Sequence, residues 1–379
     1  MQSSKTSVLI ATTLGAFLTP FMGSAMNVAV PAIGEQFGMN ATTLPWIANS
    51  FLIASLTFLL PFGRLADIYG RKKIFTWGIV AFTVFTFLCA LSNSTGMFFA
   101  FRALQGISGA MIFGTSVALV TSAYPPKERG RVLGINVASI YIALSVGPVI
   151  GGVLVNHFGW QSILIATLPL CLVVLALIIW KLRGEWSPAQ GESFDTTGAV
   201  IYGITIIAIM CGLSLLPELW GAGLIAAGVL SLAGFIRYET RSRSPLLDIS
   251  LFRRNIPFAF SSLAALINYA ATFAVAFLLS LYLINVKGYT PDIAGYILVT
   301  QPVFQAIFAP IAGRLSDRIE PRIIASIGMT VCVVGLVLFT LISETTSLWM
   351  IIGGQAILGF GFGLFSSPNT NALMSAVET

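Results

Sequence analysis

The chain has 379 residues, of which 56% are hydrophobic and only 9% charged, with a formal net charge of +6. An average soluble domain carries about 25% charged residues. This composition therefore excludes a water-soluble globular protein and requires that most of the outer surface lies in lipid. The positive charge does not indicate a nucleic-acid partner, because the placement of the basic residues follows the orientation of a membrane protein.

Twelve apolar segments are long enough to cross a membrane, for which a helix needs roughly 20 residues. The pattern predicts an all-α membrane protein, with the first segment a membrane helix and not a cleaved signal peptide. One histidine and four cysteines inside apolar runs predict neither a metal site nor a disulfide. The segments lie at about 7–33, 43–62, 74–92, 96–122, 134–156, 161–182, 197–216, 219–237, 256–284, 292–312, 323–343 and 347–370.

Lysine and arginine predict the orientation of these helices. With a cytoplasmic N-terminus, eighteen of the twenty basic residues, from Lys5 to Arg322, follow even-numbered helices or precede the first one. Lys287 alone is outside, and Arg102 is within a helix. Since cytoplasmic loops are enriched in basic residues, the count predicts a cytoplasmic N-terminus.

An internal repeat predicts the domain organisation. The sequence at 63–73 reads GRLADIYGRKK, and the sequence 250 residues later, at 313–318, reads GRLSDR. Two homologous six-helix halves explain this echo, with two extra helices between them. Four helices follow the first segment within its half, but only two follow the repeated one, so we expect the second half to be incomplete, without its last two helices. The predicted domains are an N-terminal bundle at 1–182, a linker with two extra helices at 183–255, and the first four helices of a C-terminal bundle at 256–379.

The segment 63–73 resembles the signature of the major facilitator superfamily between helices 2 and 3. The resemblance implies that Asp67 caps the positive end of a neighbouring helix or pairs with an arginine, and so holds the two halves together. The repeated Asp317 is then expected to face the start of helix 5. Lys72 and Lys73 taken alone are equally well explained as positive-inside anchors. The signature residues are Gly63, Arg64, Asp67, Gly70 and Arg71.

Helix 4 carries an arginine inside an apolar run, at Arg102, followed by Gln105 and Gly106. An arginine at mid-helix in a membrane costs at least ~2.5–3.5 kcal/mol, so it usually has a partner and a function. The run resembles the second motif of the superfamily, whose arginine is associated with proton transfer. The alternative is that Arg102 extends to the outer interface.

Helix 5 contains a cluster of small residues around a proline: Gly147, Pro148, Gly151 and Gly152. The cluster resembles the motif of the antiporter branch, in which close helix packing and a kink seal the contact with the other half. It therefore favours export over uptake. The alternative is ordinary packing of small residues between helices.

Several features together resemble the fourteen-helix drug:proton antiporter branch: the helix count, Pro45-Trp46 at the start of helix 2, Asp195 before helix 7, and the run at 244–254. This resemblance implies two six-helix bundles around a central cavity, in the cell membrane, with transport of a small molecule against protons by alternating access. It implies no cofactor. We also expect that residues 1–379 alone cannot complete a transport cycle.

One position departs from that branch. Met22 occupies the place of the usual acidic residue of helix 1, five positions before Asn27, and no Asp or Glu lies in the interior of a predicted helix. The proton carrier is therefore in the absent helices, or is Asp67 with Arg102, or coupling is unusual. Candidate cavity residues are polar or aromatic positions within helices, although hydrogen bonding between helices explains each equally well. They are Asn27, Trp46, Asn49, Tyr141, Asn268, Tyr269, Gln301 and Gln305.

Three alternatives compete with drug export. A metabolite exporter or a symporter has the same fold, and a membrane sensor binds without flux. An enzyme needs a convergent set of nucleophile, acid, base or metal ligands, which one histidine and few loop carboxylates do not supply. ATP-driven pumping is disfavoured because no GxxxxGK[ST] segment is present.

Overall fold

The computed structural model describes residues 5–40, 42–242, 244–289 and 291–377, and within these ranges the chain is helical without a strand. A π-helical turn, Tyr282–Val286, extends the tenth α-helix. Arg243, one of the basic residues that predict the orientation, lies outside the described ranges. The α-helices in chain order are α1 Lys5–Phe37, α2 Trp46–Tyr69, α3 Arg71–Ala90, α4 Thr95–Ala123, α5 Pro126–Phe158, α6 Gln161–Lys181, α7 Thr196–Ser214, α8 Leu219–Glu239, α9 Ser250–Arg254, α10 Ile256–Leu281, α11 Pro291–Leu298, α12 Thr300–Ser316, α13 Pro321–Thr340 and α14 Leu348–Val377.

Twelve helical segments within the described ranges are long and apolar enough to span a membrane. This confirms the twelve spans and the all-α class predicted from hydropathy. The largest difference is at α5, which begins at Pro126, eight residues before the predicted start. Hydropathy detects only the part of a helix that is apolar, whereas the charged turns at 127–131 continue the same helix beyond it.

The chain forms two compact units: residues up to Leu119 with Ile150–Phe252, and Val120–Val149 with the residues from Arg253 onward. The long helix α5 contributes to both. The predicted division at 182 and 255 remains a prediction.

In the first unit, α6 packs against α1 and α3, and the inserted helices α7 and α8 pair with each other, with α7 also contacting α2. Glycines allow this close packing. A Cβ at Gly212 would lie 2.8 Å from the Gly221 carbonyl oxygen, so only small residues permit the approach of α7 to α8. Asp195 caps α7 and accepts the Gly198 N–H at 2.7 Å, as its position before the helix suggests.

In the second unit, α14 packs against both α12 and α13. A Cβ at Gly328 of α13 would lie 2.7 Å from the Gly361 carbonyl oxygen of α14, so backbones meet there without side chains between them. A buried cluster of Tyr141, Cys332, Leu358 and Phe362 joins α5 to α13 and α14. Cys332 is a free thiol in this core, as expected for a small buried side chain.

Candidate functional site

The signature segment forms a sharp turn at a single residue. Helix α2 continues to Tyr69 and α3 begins at Arg71, so Gly70 alone breaks the helix. Its φ of +119° is a conformation that L-residues rarely adopt, which explains glycine at this position. Gly63 instead lies within α2 and has open space around its Cα. The predicted end of this helix at about 62 is therefore too early, because α2 continues beyond its apolar part.

An ion pair joins the two sides of this turn. Arg71 Nε donates to Asp67 Oδ1 at 2.7 Å, and Arg71 Nη1 donates to the Ala118 carbonyl oxygen at 3.1 Å. The end of α2, the start of α3 and the end of α4 are thereby tied together. A second pair joins Arg64 to Glu192, with Nη2 and Oε2 2.5 Å apart.

The arginine of α4 is buried and has uncharged partners. Arg102 is 1% exposed, so it does not extend to the interface. Its Nη1 donates to Gln105 Oε1 at 2.6 Å and its Nε to the Ile47 carbonyl oxygen at 3.2 Å. Its guanidinium lies 4.8 Å from the centre of the Phe51 ring. Gln105 in turn donates to the Thr86 hydroxyl at 2.7 Å, so the network links α2, α3 and α4.

Gly106 allows α4 to approach α2 at this network. A Cβ at that position would overlap the Phe51 carbonyl oxygen. The glycine of the motif is therefore needed where backbone meets backbone, directly beside the buried guanidinium.

The repeated aspartate, Asp317, lies in the second unit at the N-terminal end of α5. Its Oδ1 accepts the Gly130 N–H at 2.7 Å and its Oδ2 accepts the Arg131 N–H at 2.8 Å. We call this pair of hydrogen bonds the Asp317 contact. A carboxylate at a helix N-terminus is stabilised by the helix dipole as well as by the amides. Burial raises the pKa of the Asp317 carboxyl above its ordinary value, although both amide hydrogen bonds act in the opposite direction.

The antiporter-like motif occupies the middle of α5. Pro148 lies inside the helix, one residue after Gly147. A Cβ at Gly151 would lie 3.0 Å from both the Cα and the carbonyl oxygen of Ala25 in α1. A Cβ at Gly152 would lie 3.9 Å from the Val28 Cγ1 atom. Of the two, Gly151 is therefore the one that permits helix contact. Its partner α1 belongs to the same predicted N-terminal bundle, so the expectation that this glycine contacts the other half is wrong.

The predicted cavity residues of the first unit do not gather at one point. Asn27 is exposed, and Trp46 and Asn49 are half-buried. Asn49 Nδ2 donates to the Ser214 hydroxyl of α7 at 3.2 Å. This contact is a hydrogen bond between helices, the alternative that the sequence left open.

The second unit brings several predicted residues closer together. Tyr141 and Tyr269 both contact the Phe362 ring edge-to-face, with centroids 5.8 and 5.0 Å away. Asn268 is buried, and its Nδ2 donates to the Met329 sulfur at 2.7 Å.

The two predicted glutamines of α12, Gln301 and Gln305, are buried where α12 meets α14. A Cβ at Gly359 would lie 3.1 Å from Gln301 Cα, and one at Gly363 would lie 3.4 Å from the Gln305 carbonyl oxygen. Their backbones are thus in close helix contact, which favours a packing role for this face of α12.

A sequence model of the Major Facilitator Superfamily matches residues 12–379. The chain belongs to this superfamily. It is 30% identical to the riboflavin transporter RibZ of Clostridioides difficile, over 98% of this chain and 81% of that protein. It is also 30% identical to the multidrug resistance protein Stp of Mycobacterium tuberculosis, over 100% of this chain and 71% of that protein.

A solved member of the Major Facilitator Superfamily has the same fold. The proton:xylose symporter XylE, bound to 6-bromo-6-deoxy-D-glucose, superposes with a TM-score of 0.70 at 14% identity. The match covers 98% of this chain and 82% of XylE. At this identity the likeness shows the fold alone.

For a Major Facilitator Superfamily transporter, two buried amides that the sequence reasoning missed are of interest. Asn136 of α5 and Gln355 of α14 are 1% and 0% exposed. Asn136 Nδ2 and both side-chain polar atoms of Gln355 have no hydrogen-bond partner in the described structure. Such atoms are rare in protein interiors and call for a ligand, a water or a second conformation. Both lie in apolar helices, so the criterion of a polar residue within a helix could have found them.

A cleft of about 750 Å³ lies in the second unit between α10, α13 and α14. Its wall includes Asn255, Phe260, Arg322, Met329 and Asn369. None of the predicted cavity residues lines it. The described structure therefore does not connect this cleft with the polar residues selected from the sequence.

Proposed function

We propose that this Major Facilitator Superfamily protein is a secondary transporter that exports drugs or other amphipathic small molecules in exchange for protons, by alternating access. The observation that carries export is the antiporter-like motif of α5, whose Gly151 permits contact with α1 at Ala25. A seal of small residues limits leakage through the protein during exchange. The name of the relative Stp, a multidrug resistance protein, agrees with this direction.

The proposal includes a cytoplasmic N-terminus, a location in the plasma membrane and membership of the fourteen-helix branch. Eighteen of the twenty basic residues support the orientation. Labelling of single cysteines in intact cells tests it: a cysteine at position 287 reacts with an impermeant reagent, whereas cysteines at 241 and 253 do not. Reaction at 241 and 253 would reverse the orientation.

Alternating access requires contacts that form in one state and break in another. The Asp317 contact is suited to this role, because a single carboxylate receives two amides from another helix and lies partly exposed at the helix ends. The Asp67–Arg71 pair is its counterpart in the repeated sequence. We propose that both are conformational elements of the transport cycle.

The charges inside the helices support a preference among substrates. Acidic residues of the described helices lie within three residues of a helix end, while Arg102 is a buried cation about two turns into α4. A dicationic drug would therefore find no counter-charge at membrane depth. Aromatic rings and neutral amides suit uncharged or weakly anionic aromatic molecules better. Asp67 and Arg102 do not meet: Asp67 pairs with Arg71 near the end of α2, whereas Arg102 contacts Ile47 near the start of that helix, so we propose that Asp67 acts with Arg71.

A metabolite exporter is the second candidate. The relative RibZ is a riboflavin transporter, and riboflavin is an uncharged aromatic molecule. The neutral polar and aromatic side chains of the second unit, including Tyr141, Tyr269 and Gln355, are consistent with such a substrate. A non-transporting sensor would bind the same molecules without flux.

Efflux from cells making the full-length protein distinguishes these functions. Cells are loaded with one of three fluorescent molecules: ethidium, which is a cation; fluorescein, which is an anion; or riboflavin, which is neutral. Efflux is then followed with and without a protonophore. Export of fluorescein or riboflavin above that of control cells, abolished by the protonophore, supports the proposal. Protonophore-insensitive efflux would exclude proton exchange, and binding without efflux would favour a sensor.

A further inference from the structure

The segment 182–192 between α6 and α7 lies against the signature turn; we call it the strap. Glu185 of the strap accepts two backbone N–H groups at the start of α3, from Lys72 at 2.8 Å and from Lys73 at 3.1 Å. These amides belong to the first turn of a helix, which has no intrahelical acceptors for its N–H groups. One carboxylate therefore caps α3 from a distant part of the sequence.

Gly70 provides independent evidence for this arrangement. A Cβ at position 70 would overlap the carboxyl group of Glu185. The absence of a side chain at the turn thus makes room for the carboxylate, in addition to allowing the positive φ. The glycine of the signature and the glutamate of the strap fit each other.

Backbone hydrogen bonds hold the strap on both sides of the turn. Arg71 N–H donates to the Trp186 carbonyl oxygen at 2.8 Å, and Ala189 N–H donates to the Asp67 carbonyl oxygen at 3.0 Å. The two residues of the signature ion pair are therefore each bonded to the strap through their backbones.

Two side-chain contacts extend the attachment to the ends of the strap. Lys72 Nζ donates to the Leu182 carbonyl oxygen at 2.6 Å, and Arg64 pairs with Glu192. The strap leads directly into α7, the first of the two inserted helices. The inserted pair is thus connected to the signature turn by a segment that is bonded along its length.

We infer that Glu185 is a positioning residue of the transport cycle, which fixes the start of α3 and with it the geometry of the Asp67–Arg71 pair. This inference rests on the proposed function, since it concerns the rate at which the turn passes between states. Glu185 lies at the helix ends and contacts none of the predicted cavity residues. Its loss therefore lowers the maximal transport rate and leaves the apparent substrate affinity unchanged.

The test compares Glu185→Ala, Glu185→Gln and Glu185→Asp with the control Glu218→Gln. Like Glu185, Glu218 is an exposed glutamate. It occupies the N-cap position of α8, but its side chain makes no capping hydrogen bond. Rates are measured in membrane vesicles with fluorescein and riboflavin and are normalised to the amount of folded protein. Because a capping interaction contributes about 0.5–2 kcal/mol, Glu185→Ala should lower the maximal rate by about fivefold with unchanged KM. Glu185→Asp should recover part of the rate and Glu218→Gln should equal wild type.

A spectroscopic measurement tests whether Glu185 fixes the position of the turn, independently of the transport rate. Spin labels at Tyr69 and Gln190, both exposed, report the distance between the turn and the strap in a background without the four cysteines. Glu185→Ala should broaden the distance distribution, and Glu218→Gln should not.

An unchanged distribution in Glu185→Ala, or a broadened one with a normal transport rate, overturns the inference. If the wild-type protein moves neither substrate, the proposed export function fails. The distance measurement then decides alone whether Glu185 positions the turn.

Discussion

Gly130→Ala should separate Asp317 from α5. A Cβ at position 130 would lie 2.5 Å from Asp317 Oδ1 and would overlap the Gly313 carbonyl oxygen and the Ser316 hydroxyl. Ordinary van der Waals contact begins near 3.4 Å, so α5 and the end of α12 must move apart by about 1 Å. The two amide hydrogen bonds, which are 2.7 and 2.8 Å long, would then be too long to form.

The magnitude follows from the two hydrogen bonds that are lost. Hydrogen bonds to a charged group contribute about 1.5–3 kcal/mol each. Asp317 is only partly buried, so water replaces some of this energy. A net loss of about 3 kcal/mol lowers the population of the bonded conformation by about 100-fold relative to the separated one.

Spin labels at Lys127 and Arg318, both exposed, measure this population by the distance between them. Gly130→Ala should remove the short-distance component, and Asp317→Asn should reduce it, because the amide keeps one acceptor oxygen but no charge. Gly353→Ala is the matched control, since a Cβ there meets nothing within 4 Å. An unchanged distance distribution in Gly130→Ala would refute the reasoning.

Two further predictions concern transport. Asp67→Asn should lower efflux at least about tenfold. The protein should still fold and insert, since a partly exposed ion pair contributes only about 0–1 kcal/mol to stability. Normal efflux would show that the signature segment serves only to orient the protein in the membrane. Gly151→Leu should stop export by forcing α5 from α1, where even a Cβ lies 3.0 Å from Ala25, and an unchanged rate would show that this face has room.

The membrane-spanning helices could be predicted from the sequence because each is a long apolar run. The residue at which α2 ends could not be predicted in this way. Charges at 64–73 lower the hydropathy, but the backbone continues as helix until Gly70, where the conformation and not the polarity changes. The same reason explains the early start of α5.

The partners of the site residues were only partly predictable. The repeat suggested that Asp317 faces the start of α5, and the structure places it there. Gln105 lies one turn from Arg102 and was visible in the sequence. The contact of Arg102 with Ile47 and the attachment of Glu185 depend on residues far apart in the chain, for which no local pattern exists. Gln355 could have been selected as a polar residue in an apolar helix, but its lack of a hydrogen-bond partner is visible only in three dimensions.

The most direct test of proton-coupled export uses the purified full-length protein in liposomes that contain a pH-sensitive dye. Fluorescein or riboflavin is supplied on one side in the absence of any imposed gradient, and the movement of protons is followed as the substrate crosses. Exchange predicts that protons move opposite to the substrate, with a rate that Asp67→Asn lowers. Protons that move together with the substrate, or substrate movement without protons, would contradict the proposed mechanism.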